Sequence, residues 1–128
     1  MDILFSEIDQ TGIIKLNRPK ALNALNLEMA KKFYDKLLEW EENNNISRVI
    51  LYGEGKHFCA GGDVKSLVLA GKKNQLKYDF FKIEYQLNYL ISQFSKEFLS
   101  IWNGVVMGGG VGLSIYGDHR LVTDNSKF

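Results

Sequence analysis

The chain has 128 residues, with 16 basic and 15 acidic side chains and a formal net charge of +1. Hydrophobic residues make up 45%, enough for the core of one domain. The balanced charge leaves no basic footprint for nucleic acid, and no apolar run approaches the roughly 20 residues that span a membrane, so neither partner is expected. The single cysteine, Cys59, can form neither an internal disulfide nor a structural zinc site, which points to a reducing, intracellular compartment. The start, Met1-Asp2-Ile3-Leu4-Phe5, runs straight into a strand-like pattern without a signal or transit peptide.

In chain order, Ile3 to Ile8 and Ile13 to Leu16 are β-prone, and Asp9-Gln10-Thr11-Gly12 between them reads as the turn of a hairpin. Asn17-Arg18-Pro19-Lys20, with the only proline, breaks the second strand. Asn26 is a good N-cap, and Glu28 suits the positive end of the helix that follows. Met29, Phe33, Leu37 and Trp40 recur at helical spacing, and Asn43-Asn44-Asn45 ends the helix. Arg48 to Tyr52 is a short apolar strand closed by Gly53. A glycine-rich loop follows from Gly55 to Asp63, with a short helix expected near Val64.

A longer helix is expected from about Leu76 to Phe94, with Phe80, Ile83, Leu87, Leu90, Ile91 and Phe94 on one face. Phe98 to Trp102 is the next strand, then Gly108-Gly109-Gly110 opens a helix over Val111 to Tyr116, and Arg120 to Thr123 is a last strand. Strand pairs alternating with helices predict an α/β fold of ββα units.

Two glycine-rich turns, each between a strand and a helix, carry the chemistry: Phe58-Cys59-Ala60-Gly61-Gly62-Asp63 and Met107-Gly108-Gly109-Gly110-Val111-Gly112-Leu113. Glycine lets backbone approach a ligand closely, and helix N-termini offer unpaired N–H groups with partial positive charge. Two such turns facing each other could give one N–H each to a single oxygen, as a thioester carbonyl needs when it becomes an oxyanion or enolate. Glycine clusters also serve as plain turns, and the residues alone leave that open. Gly53-Glu54-Gly55-Lys56-His57 does not match a phosphate-binding loop, and Leu113 breaks a dinucleotide fingerprint starting at Gly108. A Cys59–His57 nucleophile pair is disfavoured, because neighbouring loop residues rarely adopt that arrangement. His119 reads as a strand start, and Trp40 and Trp102 as core.

Three segments in order, Leu16-Asn17-Arg18-Pro19-Lys20-Ala21-Leu22-Asn23-Ala24-Leu25, His57 to Val64 and Met107 to Leu113, together resemble the crotonase family of enoyl-CoA hydratases and isomerases. The resemblance implies a spiral of ββα repeats, here partial, with possible homo-oligomers. It implies that Lys20, Ala21 and Leu22 meet coenzyme A and that the Gly62 and Gly109 amides form the oxyanion hole. Ala60 and Gly61 would line the same loop, and Asp63 would cap the next helix. Coenzyme A is then part of an acyl-CoA substrate, and no separate cofactor or metal is expected.

One departure narrows the expectation. Hydratases of the family place a glutamate three residues after the second oxyanion glycine, and this chain has Gly112 there. Glycine can move no proton, so the resemblance shifts to the hydrolase branch, which cleaves 3-hydroxyisobutyryl-CoA in valine breakdown and shares Met107 to Ser114. Glu84-Tyr85-Gln86-Leu87-Asn88 resembles that branch's Glu-Tyr-x-Leu-Asn, in which the glutamate contacts substrate. Glu84 lies about 20° around the helix from Ile91, so it borders the apolar face; reaching solvent or a lysine is the alternative. The branch also implies a mitochondrial setting. Its catalytic glutamate follows a segment that would begin where this chain ends, at Ser126-Lys127-Phe128. Residues 1–128 are therefore expected to be the N-terminal part of one crotonase-like domain, inactive alone. A hydratase or isomerase of the same family, and a non-catalytic acyl-CoA-binding module, remain the alternatives.

Overall fold

The computed structural model describes residues 2–21, 23–55, 73–102 and 119–122. The chain opens with a hairpin of β1 (Ile3–Ile8) and β2 (Thr11–Leu16). The turn is tighter than expected: only Asp9 and Gln10 lie outside the strands, with φ of 47° and 69°. Positive φ at both central residues is what a two-residue hairpin of this twist requires. Thr11 and Gly12 belong to β2, paired with Ile8 and Glu7. Gly12 has a packing reason instead: a Cβ there would stand 2.7–2.8 Å from three ring carbons of Trp40.

After a 3-10 turn at Pro19–Ala21, α1 runs from Leu27 to Glu42. Asn26 caps it as expected, its Oδ1 accepting from the Met29 amide at 2.8 Å. Asn26→Ala should therefore lower stability by about 1 kcal/mol, read as a lower urea midpoint with an unchanged slope. At the far end the Lys96 ammonium donates to the Trp40 and Asn43 carbonyls, complementing the helix's negative pole. Strand β3 (Arg48–Gly53) follows.

Helix α2 spans Lys73–Gln93, three residues earlier than its apolar period suggested. Lys73, Asn74 and Gln75 are polar, so periodicity could not register that turn. Strands β4 (Glu97–Trp102) and β5 (His119–Val122) complete the described elements. The helices expected near Val64 and at Val111–Tyr116 fall outside the described residues.

The five strands form one sheet in the order β1-β2-β3-β4-β5. The hairpin is antiparallel and every later pairing is parallel. The β2–β3 and β3–β4 connections are thus crossovers, in which the described residues form α1 and α2 respectively. The buried positions of α1 (Met29, Phe33, Leu37, Trp40) and α2 (Phe80, Leu87, Ile91) join Ile14, Leu16, Val49, Leu51 and Phe98 in a single apolar cluster. Both helices therefore cover the same face of the sheet. The other side of α2 presents Tyr78, Phe81, Tyr85 and Tyr89 to solvent.

Candidate active site at the carboxyl edge of the sheet

Register aligns the strand ends. Leu16 at the end of β2 pairs with Gly53 at the end of β3. Leu51 pairs with Ser100, and each strand runs two residues further, to Gly53 and Trp102. Trp102 in turn pairs with Val122. Four parallel strands thus stop at one edge, the edge where open α/β sheets place their ligands. In sequence, the glycine-rich segment 55–63 follows β3 and the segment 107–113 follows β4, and these two strands are neighbours in the sheet, about 4.8 Å apart.

The turn after β2 is held by the side chains of Arg18, partly buried, and Asn23, fully buried. The Arg18 guanidinium donates to the Ala24 carbonyl at 2.7 Å, which commits it to the turn. Asn23 is fully buried with φ of 57°, a conformation asparagine tolerates. Its Oδ1 accepts from the Arg18 amide at 2.7 Å, and its Nδ2 donates to the Glu54 carbonyl at 2.9 Å. Beside the turn lies an open hollow of about 510 Å³ lined by Asp2, Asn17, Arg18, Pro19, Lys20 and Ala21. Lys20 is exposed, and among the described residues no hydrogen bond or ion pair engages its ammonium. A free cation beside an open hollow suits an anionic ligand.

Glu84 sits on α2 in a half-buried position, as its angular place beside the apolar face led us to expect. Among the described residues no hydrogen bond or ion pair reaches its carboxylate, and burial raises its pKa above the ordinary glutamate range. At the sheet edge, Glu54 hydrogen-bonds Lys15 at 2.9 Å and raises the lysine's pKa.

Of the residues expected to form the site, Lys20, Ala21 and Glu84 are described. Leu22, Ala60, Gly61, Gly62, Asp63, Gly109 and Gly112 lie outside the described residues, as do Cys59 and His57. Asn23 and Glu54, which join the turn to the exit of β3, are not among the residues expected from sequence to form the site. The available signal was a lone amide between Leu22 and Ala24-Leu25, a polar group in an apolar run.

Among curated proteins, the chain is 44% identical over 129 residues to a Danio rerio protein named 3-hydroxyisobutyryl-CoA hydrolase, mitochondrial, matching 99% of this chain and 34% of that one. It therefore spans about a third of that relative's length. Among solved structures it superposes on a carnitinyl-CoA dehydratase from Mycobacterium thermoresistibile with a TM-score of 0.94 and 38% identity, covering 98% of this chain and 38% of that one. An enoyl-CoA hydratase from Rhodobacter sphaeroides gives 0.93 and 36%, with the same coverage. The fold is thus the crotonase fold. The aligned strand ends agree with the match of residues 11–128 to the family model described as enoyl-CoA hydratase/isomerase, and the chain belongs to that family.

Proposed function

We propose that the polypeptide carrying this chain hydrolyses an acyl-CoA thioester, 3-hydroxyisobutyryl-CoA. The observation that supports the reading is the alignment of the β3 and β4 ends, the two strands that the glycine-rich segments follow in sequence. In this reading the Gly62 and Gly109 amides hold the carbonyl oxygen as water adds to the carbonyl carbon. The C–S bond then breaks, and coenzyme A leaves as the thiol with the free acid as co-product. One such amide is worth about 3–4 kcal/mol in the transition state. Lys20 and Ala21, with Leu22, flank the coenzyme A portion, and Glu84 accepts a hydrogen bond from the substrate hydroxyl. Coenzyme A enters as part of the substrate, with no other cofactor. The resemblance to the hydrolase branch would put the catalytic glutamate beyond residue 128, and a mitochondrial setting follows the name of the Danio rerio relative.

Gly112, together with the hydrolase names of the curated relatives, favours hydrolysis over hydration. The hydratase and dehydratase names of the similar solved structures keep hydration as the second reading. The test is thiol release from 3-hydroxyisobutyryl-CoA by the polypeptide extended beyond Phe128, with hydration of crotonyl-CoA measured in parallel. Thiol release without hydration is expected. Hydration without thiol release would overturn the hydrolase reading, and activity on neither would leave an acyl-CoA-binding module. Residues 1–128 alone should release no thiol.

A further inference from the structure

We propose that Asn23 is a positioning residue: it locks the turn after β2 to the exit of β3, and so fixes where the first glycine-rich segment starts relative to the Asn17–Ala21 surface. The inference deepens the thioester reading above and rests on it for its catalytic consequence.

The lock has three parts. The Asn23 amide bridges the Arg18 N–H and the Glu54 carbonyl, at 2.7 and 2.9 Å, across 31 residues of sequence. The Glu54 N–H donates to the Leu16 carbonyl at 2.7 Å, which prolongs the β2–β3 ladder past its last strand residues. Gly55, with φ of +84°, passes so close to the turn that a Cβ on it would stand 3.3 Å from the Pro19 Cβ. The side chain at position 23 must accept, donate and sit on left-handed backbone at once. Aspartate cannot donate, glycine can do neither with a side chain, and glutamine would overreach by a methylene.

Such a lock matters to a substrate that is gripped in two places. The coenzyme A portion and the thioester carbonyl belong to one molecule, so the surface meeting the first and the amides meeting the second must keep a fixed separation. A displacement of about 1 Å at the reacting centre can cost about 100-fold in rate. The loss should fall mainly on kcat, because the residues that meet coenzyme A are unchanged and only their position relative to the first glycine-rich segment is loosened.

The test uses the complete polypeptide that carries these residues, with Asn23→Gly and Asn23→Asp. Asn23→Gly keeps the left-handed backbone at little cost and removes the side-chain hydrogen bonds to Arg18 and Glu54. Asn23→Asp keeps the acceptor for Arg18 and sets a carboxylate oxygen against the Glu54 carbonyl. Both should lower kcat per folded molecule, by about 100-fold for Asn23→Gly, with affinity for free coenzyme A little changed. Wild-type kcat per folded molecule in either variant would overturn the proposal. A fall in coenzyme A affinity equal to the fall in kcat would also do so, because it would mark simple loss of the turn.

Hydrogen–deuterium exchange provides a readout that needs no turnover. The peptides Leu16–Leu25 and Leu51–Gly55 should both exchange faster in Asn23→Gly, and loosening confined to the first would sink the lock. If the wild-type polypeptide turns over no acyl-CoA, the thioester reading falls and the lock is judged on exchange alone.

Discussion

Trp40→Ala is expected to destabilise the protein by about 3–5 kcal/mol, the range for removing a large aromatic side chain from a packed core. Trp40 has no exposed surface. Its ring meets Phe5 edge-on, with centroids 6.2 Å apart and an interplanar angle of 88°, and it lies flat against the backbone of Gly12. The same contact makes a second, diagnostic substitution. Gly12→Ala would press a methyl group into the indole and should cost about 1–3 kcal/mol. In a Trp40→Leu background that cost should largely vanish, giving a coupling of about 1–3 kcal/mol between the two sites. Urea unfolding of the four proteins closes the cycle. Equal costs of Gly12→Ala in both backgrounds would mean that position 12 needs glycine for its backbone, contrary to its place inside β2.

Glu84→Gln should move stability and catalysis in opposite directions. The folded-state pKa of Glu84 lies above its ordinary value of 4.5, because partial burial strips water from the charged form. A raised folded pKa means the residue's stabilising share is fully present below the unfolded value. It is lost as pH rises through the raised folded value, where the desolvated carboxylate becomes a penalty. Glutamine avoids that penalty. The variant should therefore be more stable than wild type at pH 7, and the difference should shrink toward zero near pH 4, in urea midpoints across that range. On the proposed reading the same change loses a charge-assisted hydrogen bond to substrate, a loss of about 1.5–3 kcal/mol, or about 10–100-fold in kcat/KM. A gain in stability with a loss of activity is the pattern of a strained site. Unchanged stability and unchanged kcat/KM together would assign Glu84 to the solvated flank of α2.

The class of fold and the order of its elements are legible in local sequence. Met29, Phe33, Leu37 and Trp40 at helical spacing, and the apolar run Val49-Ile50-Leu51, place α1 and β3 to within a residue, because local periodicity fixes which face must be buried. Asn26 was legible as a cap for the same reason: capping is decided within three residues of chain. The start of α2 was not, since Lys73-Asn74-Gln75 carries no apolar period. The turn is two residues shorter than Asp9-Gln10-Thr11-Gly12 suggests, because Gly12 resembles a turn residue. Its true partner, Trp40, is distant in sequence, and only packing brings the two together.

The site divides along the same line. Lys20, Ala21 and Glu84 could be named from motif and helical angle. What tertiary structure alone decided is that β2, β3 and β4 end level with one another. It also decided that Asn23 spends both faces of its amide joining the first two of those ends. Strand register and a hydrogen bond spanning 31 residues depend on how crossovers return the chain to the sheet, a long-range outcome that no local window of sequence contains.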